Sequence, residues 1–191
     1  MTEGDGSRNT ERTRTAILAA ARELLTERGT ATTLQQIAEA AGISKSGLLH
    51  HFANKNELLR AVLRDYYEGL QAAVRARVDL SENYPGKALR AYVHALCGPD
   101  SPERAEFASY ADFSTYLEGV PGIDELNHAD TEYWREFLAQ DGLDPDRIAI
   151  VRYAAEGLAS ASAYDEKVLT DDLPRAYPRL LRLTLPEHPE P

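Results

Sequence analysis

The stretch Thr33-Leu-Gln-Gln-Ile-Ala-Glu-Ala-Ala-Gly-Ile-Ser-Lys-Ser-Gly-Leu-Leu-His-His-Phe52 constrains this chain more than any other. It reads as two short helices separated by a tight turn. Thr33 is placed to cap the first, with Gln36 three residues on, the spacing of a reciprocal capping box. Ile37 and Ala41 fall on one helical face. Gly42 follows the last periodic residue, where a left-handed backbone is wanted and glycine adopts it without a Cβ penalty. Ile43 plugs the angle between the helices, Ser44 caps the second, and Leu48 with His51 or Phe52 forms its inward face. Two helices of this length, held at an angle by a glycine turn, make a helix-turn-helix whose second helix suits the major groove of DNA.

The flanks extend the pattern. Asn54 and Glu57 start a new helix at once, and upstream Arg12 to Arg28 forms an amphipathic helix with Ile17, Ala21, Leu24 and Leu25 inward, ended by Gly29. In this order, Gly29, Thr33, Ile37, Ala38, Ala41, Gly42, Ile43, Ser44, Lys45, Leu48, His51, Phe52, Lys55, Glu57, Leu58 and Leu59 resemble the N-terminal domain of the tetracycline-repressor (TetR-like) family of bacterial transcriptional regulators. The close match covers roughly residues 12–64. Beyond it only the number, length and order of helices resemble the family.

A net charge of -10 sits awkwardly with a DNA-binding protein until the chain is divided. Residues 1–60 hold eight Lys/Arg and seven Asp/Glu, whereas residues 61–191 hold 13 and 24, so the two parts carry +1 and -11. A near-neutral head with local cations on an acidic body is compatible with specific binding and implies weak non-specific affinity. One cysteine, Cys97, rules out an internal disulfide and fits a reducing cytoplasm. No apolar run approaches the roughly 20 residues of a membrane span.

Periodicity predicts an all-α chain of about nine helices with no strand. Residues 1–9 are expected as a mobile arm, 10–56 as the helix-turn-helix domain, 57–185 as a helical ligand-binding and dimerisation domain, and 186–191 as a flexible tail. The fourth helix, about Asn56–Asp79, belongs to both domains. Helices follow at Lys87–Cys97, from Pro102, at about Ile123–Gln140, from Pro145, and at about Leu173–Leu185. In the last of these, Pro178 either kinks the helix or marks its true start.

Within the head, phosphate positioning is expected from Thr33, Lys45, His50 and Lys55, and base reading from Ser44, Ser46, Gly47 and Leu49. Two departures from the family pattern stand out. Gly47 replaces a side chain that could hydrogen-bond, and Leu49 stands where a tyrosine is common, so it offers a thymine methyl only an apolar surface. Periodicity leaves Leu49 open to a core reading as well, and leaves His51, at the Leu48/Phe52 seam, between packing and DNA contact. A head this small covers one half-site, which implies a homodimer on an inverted repeat. Small residues on the eighth helix point to Val151, Ala155, Leu158, Ala159 and Ser162, with Leu180 and Leu183 from the ninth, as its interface. The resemblance implies an intersubunit four-helix bundle there; the alternative is that the alanine run is intramolecular core.

All ten tyrosines lie beyond the head. Tyr92, Leu96, Phe107, Tyr110, Phe113, Tyr133 and Phe137 come from helices that surround the effector site in the resembling family, and suit a small, partly aromatic ligand; the alternative for each of them singly is core packing. Asp130 shares a face with Tyr133 and Phe137 and is either a rim residue or a pocket carboxylate. His94 and Cys97 are three apart, but no further ligands converge on them, so no metal or other cofactor is expected. Nor is there a nucleophile–base arrangement or a phosphate-cradling glycine loop. The expected function is therefore a ligand-responsive repressor. The alternatives are an activator or protein-responsive regulator and, more remotely, a small all-α enzyme acting on an aromatic substrate.

Overall fold

The computed structural model describes residues 3–186, and among them the chain is all-α, with nine α-helices and no strand. They are α1 (Glu3–Arg28), α2 (Leu34–Ala40), α3 (Lys45–His51), α4 (Lys55–Ala76), α5 (Lys87–Cys97), α6 (Pro102–Ser114), α7 (Ile123–Ala139), α8 (Pro145–Ala161) and α9 (Leu173–Leu183). The arm expected over residues 1–9 is instead, from Glu3 on, the start of α1. No proline interrupts it, and extending an existing helix is far easier than nucleating one. The tail expected over 186–191 lies, beyond Pro186, outside the described residues. Pro178 sits inside α9 and does not start it; one wide turn, Val168–Asp172, leads in.

The chain divides into two compact units, residues 1–67 with 112–126, and residues 68–111 with 127–191. The expected single boundary at 56/57 is thus replaced by a discontinuous one. Its physical basis is local: Arg60 donates to the carbonyl of Pro121 at 2.9 Å, and the ring of Tyr116 lies against Gly29, which has a φ of 58°.

The first unit is a three-helix head closed by the first half of α4. Ile17, Ala21 and Leu25 of α1 are buried, as are Ile37, Ala38, Leu48, Phe52, Leu58 and Val62. The second unit is built around α5. Nine of its eleven residues are buried, Arg90 among them. Only Lys87 and His94 of α5 escape burial, so nearly all of its surface must be met by neighbouring helices. The same buried cluster takes Leu70 and Val74 from α4, Trp134 and Leu138 from α7, Val151, Ala155 and Ala159 from α8, and Leu173 and Leu180 from α9.

Arg90 is buried with its hydrogen bonds filled. It pairs with Glu82, donates to the carbonyls of Thr184 at 2.7 Å and Pro85 at 3.2 Å, and lies 4.6 Å from the ring centre of Tyr84. A buried charge is tolerated only when met this completely. Cys97 packs beside α8, its thiol directed at the carbonyl of Ala155. Burial pushes that thiol up to about 12, with Arg104 opposing weakly. Because the thiolate is the reactive form, native protein at pH 8 should react with iodoacetamide about three orders of magnitude more slowly than unfolded protein. Stopped-time labelling with and without urea measures this; equal rates would show that Cys97 is accessible.

Candidate functional site

In the head, the capping box forms as its spacing predicts. Thr33 Oγ1 accepts from the backbone N–H of Gln36 at 3.3 Å, and Gln36 Oε1 accepts from the N–H of Thr33 at 2.9 Å. Gly42 takes a φ of 70°, and the N–H of Ile43 returns to the carbonyl of Ala38 at 2.9 Å, closing the end of α2. Ser44 Oγ accepts from the N–H of Gly47 at 3.0 Å, capping α3. Glu57 N–H and Asn54 Oδ1, 2.9 Å apart, start α4 in the same way. A Thr33→Ala chain should lose about 1 kcal/mol of stability, the usual worth of such a cap; a urea midpoint indistinguishable from the parent would contradict it.

This scaffold sorts the head residues by exposure. Leu48 and Phe52 are fully buried and anchor α3, and the guanidinium of Arg14 lies 4.7 Å from the centre of the Phe52 ring. On the opposite side Ser44, Lys45, Ser46, Leu49 and His50 are exposed, Gly47 is half-buried, and Thr33 is exposed at the start of α2. Leu49, at 39% exposure, is surface and not core. His51 is half-buried, edge-on to His50. Lys55 differs from the rest: its ammonium donates to the carbonyl of Thr32 at 2.7 Å, while the Thr32 hydroxyl donates to the carbonyl of Leu24 at 3.0 Å. That lysine ties α4 to the end of α1 and is not a freely ranging surface cation.

In the second unit, Tyr92 is buried. Its hydroxyl donates to Glu156 Oε1 at 2.7 Å, and Arg152 Nε donates to the same oxygen at 2.7 Å. Burial, with the charge of Glu156, holds the Tyr92 phenol well above its ordinary range. Trp134 lies among Tyr92, Tyr133 and Phe137 at ring separations of 4.7, 5.1 and 6.0 Å. Tyr133 stacks on Phe137 at 5.7 Å. Asp130 is half-buried and accepts from Gln71 at 2.8 Å. Phe107 and Tyr110 are half-buried, and Leu96 is core. Phe113 is buried in the other unit. A pocket of about 260 Å³ opens between α7 and α8, lined by Trp134, Arg135, Leu138, Ala139, Leu143, Pro145, Ile148, Ala149, Arg152 and Tyr153. None of the eight residues expected to contact ligand lines it. His94 meets the Tyr177 hydroxyl at 2.5 Å, and among the described residues no three His, Cys, Asp or Glu side chains converge as a metal site.

The expected dimer face needs correction. Val151, Ala155 and Ala159 are fully buried within the chain, and Leu180 nearly so; they have no surface left to offer a partner. The reason is α5, which packs its buried apolar residues on the small-residue stripe of α8. The sequence shows that stripe clearly but not which neighbour claims it. Leu158 and Ser162 are half-buried and Leu183 is exposed at 46%. The large apolar groups that α8 leaves uncovered are Ile150 and Tyr153, with Tyr164 just beyond its end, at 64%, 61% and 71% exposure.

Two family models account for the chain: bacterial regulatory proteins of the tetR family over residues 17–62, and the tetracyclin repressor-like C-terminal domain over residues 86–185. The chain belongs to the tetR family of bacterial regulatory proteins. Among its relatives is the HTH-type transcriptional repressor KstR2 of Mycobacterium tuberculosis, 33% identical over 139 residues, 71% of this chain and 68% of that protein. A transcriptional regulator from Rhodococcus sp. Rha1 shares the fold at a TM-score of 0.74 and 22% identity, covering 90% of this chain and 95% of the other. So does the multidrug binding protein EbrR, solved with malachite green, at a TM-score of 0.67 and 21% identity, covering 91% and 98%. This tetR-family protein is thus a DNA-binding transcriptional regulator. The same family's C-terminal domain spans the second unit's core, where Glu156 and Arg152 went unnoticed in the sequence. Their i,i+4 spacing alone marks an ordinary helix pair, and only burial beside Tyr92 sets them apart. Among the described residues no helix is long and apolar enough to cross a membrane.

Proposed function

We propose that this tetR-family regulator is a repressor that binds an inverted-repeat operator as a homodimer and is released when a small, partly aromatic effector occupies its second unit. The observation that carries the reading is α3, a two-turn helix seated on buried Leu48 and Phe52 with Ser44, Lys45, Ser46, Leu49 and His50 turned outward. Lys45 and His50 supply phosphate contacts with Thr33, and Ser44, Ser46, Gly47 and Leu49 face base edges. Lys55 helps by holding α4 against the head, with a phosphate contact secondary to that bond.

One head spans one half-site, so affinity requires two, with recognition helices about 34–36 Å apart for half-sites one turn apart. The exposed apolar groups Ile150, Tyr153, Tyr164 and Leu183 are the natural surface for that pairing. Effector control follows from the path of the chain: α4 contributes residues to both units, so a ligand that shifts its second half alters the placement of the head. Near-complete release requires the effector to prefer the released state by about 5.5 kcal/mol. A neighbour of this fold was crystallised with an aromatic dye, which is consistent with an aromatic ligand.

The test is to select bound fragments from genomic DNA with the purified protein, then measure affinity for the enriched repeat against salt, alongside the sedimentation mass. The expected result is a dimer on an inverted repeat, with an affinity that falls steeply as salt rises. A monomer that enriches no repeat at low ionic strength would end the reading.

A further inference from the structure

We infer that Leu49 sets part of the operator sequence: on the reading of α3 as the helix that enters the major groove, its side chain packs on the 5-methyl group of a thymine in each half-site. Leu48 and Phe52 are buried and fix the rotation of α3 about its axis. Leu49 stands one residue, and about 100°, further round from Leu48, and is held outward. Lys45 and Ser46, four and three residues earlier, are exposed beside it on the same side. An exposed leucine on an arbitrary surface needs no explanation. Among the described residues of the first unit, however, Leu49 is the one large apolar side chain left exposed, and it lies on the recognition helix.

The rest of α3 leaves base choice to it. Its sequence, Lys45-Ser-Gly-Leu-Leu-His-His51, holds no Arg, Asn, Gln, Asp or Glu, the residues that bond guanine, adenine or cytosine edges selectively. Gly47 has no side chain. A serine hydroxyl both donates and accepts, so Ser44 and Ser46 do not single out one base, and Ser44 Oγ already caps α3 through the N–H of Gly47. Lys45 and His50 go to phosphate in the same reading. The glutamines of α2 are occupied: Gln35 donates to Glu39 at 2.6 Å, and Gln36 closes the capping box with Thr33. What remains is an apolar surface, and the major groove presents one apolar group, the thymine methyl.

Uracil differs from thymine by that methyl alone, so the contact can be removed from the DNA without touching the protein. The probes are the duplex repeat that the full chain enriches from genomic DNA, copies with one thymine of each half-site replaced by uracil, and copies with that T·A pair replaced by C·G or by 5-methylcytosine·G. At one thymine position uracil is expected to weaken binding about fourfold per half-site and about fifteenfold for both, the worth of covering one methyl group. 5-Methylcytosine at that position should bind tighter than cytosine by the same factor, since it restores the methyl on a different base. In Leu49→Ala the preference for methyl should fall below about 1.5-fold, while Leu49→Met, which keeps an apolar side chain of similar volume, should retain most of it. Because the contact releases no counter-ion, Leu49→Ala should leave the salt slope unchanged. The DNA-side comparison on the parent chain needs no variant.

Parent affinity indifferent to uracil at every thymine overturns the inference, as does an enriched half-site without thymine. So does a methyl preference of equal size in Leu49→Ala, which would assign the contact to another group. A chain that enriches no repeat ends the broader reading and this one together; a chain that enriches a repeat and ignores its methyl groups ends this one alone.

Discussion

A Gly86→Ala chain should unfold at a temperature roughly 10 °C below the parent, a loss of about 3–5 kcal/mol for a chain of this size. Gly86 has a φ of 97°, and a Cβ built there would lie 1.9 Å from the backbone carbonyl oxygen of Thr184 and 2.7 Å from Arg90 Nη1. Neither neighbour is a side-chain tip that can swing away. The carbonyl is main chain at the end of α9, and the guanidinium is held by Glu82, Pro85 and Thr184. The unfavourable backbone alone is worth about 1–3 kcal/mol, and overpacking against rigid groups adds about 1–3 more. Gly42→Ala is the control. It shares a positive φ, at 70°, but a Cβ there meets nothing within 4 Å, so about 1 kcal/mol is expected from backbone strain alone. Thermal melts of both variants by circular dichroism decide the matter; two equal shifts would mean the Thr184 contact is unimportant.

Reversing the charge at Lys45 is the corresponding large effect on function. Lys45 is exposed at the start of α3, so Lys45→Glu should leave the melting temperature within about 1 °C, as surface changes usually do. Operator affinity should fall about 100-fold at moderate salt, since a phosphate contact becomes a repulsion. Lys45→Ala should weaken binding less and lower the salt slope by about one, uniformly across operator variants. Fluorescence anisotropy on the selected operator measures both. Lys55→Met provides the contrast: because its ammonium holds the Thr32 carbonyl, that change should lower the melting temperature as well as the affinity. Undiminished affinity in Lys45→Glu would remove this face of α3 from the DNA.

Much of the head was legible because its signals are local. Thr33 with Gln36, Gly42, Ser44 and Asn54 with Glu57 each specify a cap or a turn within a few residues, and each forms as read. The exposure of Leu49 was not legible, since its spacing from Leu48 and Phe52 fits either side of so short a helix. Lys55 shows the same limit: its place at the start of α4 is plain in the sequence, but its bond to a carbonyl 23 residues earlier in the chain is not. In the second unit the helices could be counted from periodicity, with α5 read to the residue. Which stripe meets which neighbour is a long-range matter. The alanines of α8 looked like an interface, and they are one, but with α5 of the same chain.

With nine of its eleven residues enclosed, α5 leaves only Lys87 and His94 where a substitution could be tried without displacing a packed neighbour. Evolutionary drift in what such a body accepts would therefore run through the half-open walls, α4, α6 and α7, while α5 stays almost frozen. Among close cousins of this regulator, the helix nearest the centre should be the poorest guide to what each one senses.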